Sequence, residues 1–195
     1  MTLQIGKQYF EGYEEKFVPK TNGKGFRKKR VYLGDIYHIE GSEKTWVTNK
    51  ICMLLAAITY FAIMIGFGTL QTLSNVSAYV TLPYAIGLLS GGYCFIGICN
   101  RMMAPYEMTA FQYNEQYKQI QKGSFCALCA MVLCFSANTI CLMIWLCSGV
   151  ILKGMLLKEV AMLIAHIVSA FLMLVVYNTG KNTIYIKIQR KQCDD

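Results

Sequence analysis

The side chains most able to do chemistry in this chain are its nine cysteines, its two histidines and a sparse set of carboxylates. Cys126-x-x-Cys129 has half the spacing of a structural zinc site, but no second pair and no nearby histidine completes it. Every cysteine except Cys193 falls inside an apolar run, where a thiol has no cationic neighbour to make it a thiolate and behaves as a small hydrophobe. An odd count in such runs also argues against a disulfide framework. No metal and no cofactor is expected. Asn138 and His166 are the strongest polar residues within the apolar runs, and the central part of each run lacks Asp, Glu, Lys and Arg. The ionisable groups that mark ion coupling or proton relays are therefore missing there. Elsewhere Asp35, His38, Glu40 and Glu43 form the one cluster of titratable groups, a pattern that is ordinarily a solvated face. With no His-Glu-x-x-His, no paired aspartates and no Gly-x-Ser-x-Gly, no catalytic residue is assigned and an enzyme is not expected.

Positive charge is the other candidate for function. Five of the seven residues in Lys24–Arg30 are basic: Lys24, Arg27, Lys28, Lys29 and Arg30. Each such charge near an anionic leaflet is worth about 1 kcal/mol, so this run is expected to bind the headgroups of anionic inner-leaflet lipids. Nucleic acid is not expected as a partner, since one short run does not make a phosphate-tracking surface.

The element that must position these residues is a membrane. Of the 195 residues 55% are hydrophobic, against about 45–50% in ordinary soluble domains, and only 15% are charged. The first 45 residues are mixed and polar, so no cleaved signal is expected. Uncharged windows of about 20 residues, enough to cross a hydrocarbon core of about 30 Å as a helix, fall near 51–70, 78–100, 125–152 and 160–177. Placing both termini in the cytoplasm puts seventeen Lys and Arg inside and two outside, which sets the orientation by the positive-inside rule. The expected fold is an all-α membrane protein: a four-transmembrane-helix bundle, 49–177, between a cytoplasmic basic leader, 1–48, and a cytoplasmic tail, 178–195.

Two readings of the leader stay open, a β-hairpin or a disordered basic segment. Lys16-Phe17-Val18 and Arg30-Val31-Tyr32-Leu33 flank Thr21-Asn22-Gly23-Lys24-Gly25, a turn sequence tolerant of positive φ. Ile184, Ile186 and Ile188 alternate with polar residues in the tail, a further strand that would join both termini in one small sheet. Between the second and third spans, Thr109 and Gln112 make a capping box and Met108 and Tyr113 its hydrophobic staple, so a cytoplasmic helix is expected over 110–122, either at the membrane interface or lengthening the third span into the cytoplasm, with Gly123 a stop or hinge.

Periodicity assigns the faces of the spans. Gly87 and Gly91 form a Gly-x-x-x-Gly on the second span, expected to pack within the bundle rather than in a dimer seam. On the third, Cys126, Cys129, Ala130, Cys134, Ala137, Cys141 and Ser148 cluster on a small side expected to meet helices. Phe125, Leu128, Phe135, Leu142 and Leu146 form the bulky side expected to meet lipid. On the fourth, Met162, Ala165, His166, Ser169 and Met173 turn inward, with Ile164, Ile167, Phe171 and Leu174 outward. Asn138 and His166 lie near the middle of consecutive spans, and an interhelical hydrogen bond between them is expected.

Val31-Tyr32-Leu33-Gly34-Asp35-Ile36-Tyr37, Leu82-Pro83-Tyr84, and Met108-Thr109 followed by Tyr113 and Tyr117 resemble a loose group of uncharacterised four-span proteins of Gram-positive bacteria. The resemblance implies a bacterial cell membrane and brings no activity or site residues with it. The chemistry that remains favours a non-enzymatic accessory or interaction protein that binds the lipid bilayer and a membrane-protein partner or a second copy of itself. A small transporter or channel subunit is the alternative, and a membrane enzyme comes after that.

Overall fold

The computed structural model describes residues 13–19, 25–32, 34–39, 42–149, 153–181 and 185–188. In chain order these form β1 (Tyr13–Pro19), β2 (Phe26–Tyr32), β3 (Ile36–Ile39), α1 (Glu43–Gly68), a 3-10 turn (Ser74–Val76), α2 (Ala78–Met103), β4 (Glu107–Thr109), α3 (Ala110–Cys147), α4 (Lys153–Lys181) and β5 (Tyr185–Ile188). They divide into two compact units.

The smaller unit holds the strands. β1 and β2 pair antiparallel from Tyr13 opposite Tyr32 to Pro19 opposite Phe26, so the leader forms the hairpin. The expected turn residues 21–24, Lys24 among them, lie outside the described residues. A three-stranded sheet has β3 at its centre, with β4 on one side and β5 on the other, both antiparallel to it. Leader and tail therefore share one sheet. Tyr32 ties the unit together: its hydroxyl donates to the Asp35 carbonyl and accepts from the Ala110 N–H. The capping box forms, with Gln112 N–H donating to Thr109 Oγ1 and Thr109 N–H to Gln112 Oε1.

The larger unit is a bundle of four helices, each long and apolar enough to cross a membrane. α1 starts at Ser42, whose side chain accepts from the Thr45 N–H and caps one of the free donors of the first turn. Interhelical bonds show antiparallel neighbours: Tyr60 Oη donates to the Gly87 carbonyl at 2.8 Å, and Gln121 Nε2 to the Tyr177 carbonyl at 3.2 Å. The interior is built from Met53, Ala57, Tyr60, Met64, Cys94, Met131, Cys134, Met162, Met173 and Val176, all buried. Large groups pack where glycines make room. A Cβ at Gly91 would lie 2.6 Å from the Tyr60 ring, and one at Gly87 would collide with Met131 Cε. The Gly-x-x-x-Gly face is thus filled from within the bundle.

Three expectations need correction. Residues 110–122 lengthen the third span, one of the two forms expected, but Gly123 is no stop: α3 runs unbroken for 38 residues through it. Gly123 is there for space rather than for flexibility, because a Cβ would lie 2.7 Å from the Cys94 N and 2.9 Å from its Cα. The fourth helix begins at Lys153, and α3 stops at Cys147, with Gly149 following at φ +70° in the left-handed region that closes helix ends. The faces of α3 are rotated from the expected ones. Ala127, Ala130, Met131, Cys134, Asn138 and Leu142 are buried, while Cys126 and Cys129 are exposed; Phe125 faces outward as expected. Size did not decide this face, because Met131 finds its space in the missing side chain of Gly87 across the interface.

Candidate functional site

The nine residues linking α1 to α2 carry their own hydrogen-bonding side chains, as backbone out of reach of a helix or sheet requires. Asn75 Nδ2 donates to the Leu70 carbonyl at 2.6 Å, its N–H donates to Thr72 Oγ1, and Thr81 Oγ1 donates to the Asn75 carbonyl. The start of the 3-10 turn leaves the N–H groups of Leu73 and Ser74 pointing away from the link, and Glu159 of α4 accepts both through Oε1, at 2.6 and 3.2 Å. Ser74 Oγ lies within hydrogen-bond reach of Glu159 Oε2, and the side-chain amide of Asn138 on α3 lies 2.5 Å from the same hydroxyl. Glu159, Ser74 and Asn138 are all fully buried.

One hydroxyl hydrogen cannot serve two acceptors. With its oxygen toward Ser74, the Asn138 amide leaves Nδ2 buried and unpartnered among the described residues. Turning the amide over resolves both conflicts, since its O and N are nearly the same size. Asn138 Nδ2 then donates to Ser74 Oγ, which donates to Glu159 Oε2. The carboxyl group becomes the common acceptor of three donors, fastening the link to α3 and α4.

Farther along α4 the inward face continues with Met162, Ala165, His166, Ser169 and Met173, all buried, while Ile164, Ile167, Phe171 and Leu174 point outward. His166 is 2% exposed, and its nearest ring neighbour is Tyr84, with centroids 6.4 Å apart. The expected bond to Asn138 is absent. Asn138 meets Ser74 and Glu159, which lies seven residues before His166, about 10 Å along the helix. The two residues are near the middle of their spans by count, but the antiparallel register puts them two turns apart.

The other end of the bundle has a cluster of its own. The Trp46 ring carries Lys50 Nζ 4.4 Å from its centroid and Arg101 Cζ at 4.9 Å, and all three side chains are buried. Lys50 also donates to the Met102 carbonyl at 3.3 Å.

The remaining expected site residues are dispersed. Gly87, Gly91, Ala130 and Cys134 are buried in helix contacts, with Cys134 Sγ 3.7 Å from the Val80 carbonyl. Ala137 and Cys141 are half-buried, and Cys141 Sγ is 3.8 Å from Ser77 Oγ. Arg27, Lys28, Lys29 and Arg30 lie on β2, where Lys28 meets Glu15 at 3.2 Å in the open. His38 lies 3.9 Å from Glu107, and Glu43 takes the first turn of α1, where a carboxylate suits the helix N-terminus. Glu159 and Ser74 were not among the expected residues. Carrying the inward face of His166 back by seven residues would have found Glu159. Comparison with family models, curated proteins and solved structures finds no match for this chain.

Proposed function

We propose that this chain is a non-enzymatic interaction protein of a bacterial plasma membrane, with both termini in the cytoplasm, which seats a transmembrane helix of a partner protein. The observation that carries this is a pair of outward grooves, each lined in part by small residues. Between α2 and α3, Ala78, Cys126, Cys129 and Ala130 line a groove of about 370 Å³ together with bulkier residues such as Leu82 and Leu133. Between α1 and α4, Thr48, Cys52, Ala56 and Thr59 recur at near four-residue spacing in another of about 540 Å³. Small residues let a second helix approach closely where lipid offers no hydrophobic drive to association. The seventeen-to-two distribution of Lys and Arg supports the orientation. The resemblance to four-span Gram-positive proteins supports the membrane. The basic β2 strand, in a hairpin with Phe17 and Phe26 exposed, suits the headgroups of an anionic inner leaflet.

Photo-crosslinkers placed in native membranes at Leu82 and Leu55, one in each groove, test the reading against Ile164 on the outward side of α4. A discrete protein adduct from a groove position, lost when the exposed cysteines of that groove become Leu (C126L/C129L or C52L), is expected. Lipid adducts alone at all three positions would end the proposal. An adduct at twice the chain mass would replace the partner with a second copy.

A further inference from the structure

His166 and Ser169 are buried polar groups of α4 that the cluster around Glu159 does not absorb. Both are at least 98% buried, and neither ring nitrogen of His166 nor the Ser169 hydroxyl has a hydrogen-bond partner among the described residues. They stand one turn apart on the inward face of α4, so the two groups address the same interior space.

Four other helical hydroxyls show the ordinary alternative. Ser90, Ser124, Ser136 and Thr139 each donate to the carbonyl four residues earlier, at 2.6 to 2.9 Å. That is the ordinary way for a hydroxyl to be satisfied within an apolar helix. Ser169 has an identical option and does not take it. A neutral imidazole offers one donor and one acceptor, and a hydroxyl offers one donor and its lone pairs. Water complements that set, and it needs two to four polar partners to stay in an interior.

We propose that His166 and Ser169 form an interior hydration site at mid-bundle, with one or more water molecules bridging the imidazole to the hydroxyl beside the Tyr84 ring. On the same face Met173 and Val176 close it off toward Lys181 and Met162 separates it from Glu159, all three fully buried. This inference is independent of the helix-seating reading and concerns the interior alone.

Because the chain has only two histidines, selective ¹⁵N-histidine labelling of the full-length protein in detergent gives two imidazole signals, assigned with H38Q. The expected result is a cross-peak between water and the His166 N–H, lost in S169V while the His38 signal is unchanged. A wild-type His166 N–H that shows no water cross-peak and exchanges slowly into D₂O would overturn the proposal without recourse to any variant. So would a through-bond coupling from that N–H to a protein carbonyl.

Discussion

Glu159 offers the sharpest test of the buried cluster, because substitutions there separate the loss of an acceptor from the loss of a charge. Glu159→Ala leaves the Leu73 N–H, the Ser74 N–H and the Ser74 hydroxyl without their acceptor in a fully buried setting. At about 1 kcal/mol for each stranded donor, the low end of the usual range, the loss is about 3 kcal/mol. For a chain of this size that is a fall in Tm of roughly 6–12 °C. Glu159→Gln keeps an oxygen for the two N–H groups, and its Nε2 can donate to Ser74 Oγ. The chain of bonds then runs backwards, with Ser74 donating to the Asn138 oxygen. The extra strength of charge-assisted bonds is lost and Asn138 Nδ2 is left buried without a partner, together about 2 kcal/mol or roughly 4–8 °C. Asn138→Asp alone sets two acceptors against one hydroxyl hydrogen and should be as harmful as Glu159→Ala, yet N138D/E159Q exchanges the two ends of the chain and should recover most of that loss. Thermal unfolding in mild detergent, followed by the fluorescence of buried Trp46, reads all four proteins. If E159Q falls as far as E159A, or if the double variant is no better than N138D, the hydrogen-bond chain is wrong.

Other positions test the packing and the topology. Gly123→Ala should lower Tm by several degrees, since its Cβ would press on the Cys94 backbone, whereas Gly92→Ala, with open space around it, should hold or raise Tm. Ala130→Leu should destabilise the bundle while Leu133→Ala, whose side chain is 59% exposed, should have little effect; equal losses would mean that α3 is turned the other way. Trp46→Leu removes the ring that meets two buried cations and should cost about 2 kcal/mol, measured by thermal unfolding followed by circular dichroism, with a neutral result arguing against cation–π stabilisation. A reporter active only in the cytoplasm should work after Asp195 and fail when inserted at Gly149, an open position between spans; activity at both would remove a crossing.

What the sequence made legible follows from which forces act locally. Four spans, the capping box at Thr109 and Gln112, the hairpin and the inward face of α4 are written in composition and short-range period, and each can be read from a single segment. The face of α3 could not be read that way, because it depends on a second helix. Met131 lies inside only because Gly87 on α2 vacates the space, so sorting α3 by residue size sent Cys126 and Cys129 to the wrong side. Glu159 was hidden for a related reason. A carboxylate flanked by Lys153 and Lys158 counts as loop charge when spans are drawn from uncharged windows, and its burial depends on N–H groups 85 and 86 residues away in sequence. Charge segregation therefore locates the membrane but blurs its edges, where a charged residue can still face inward once a neighbouring loop supplies its partners. At such edges the helical period is the better guide. Extended one turn past the last uncharged residue, it puts Glu159 in line with Met162, His166 and Ser169, and the polar half of the bundle interior becomes visible as one continuous face.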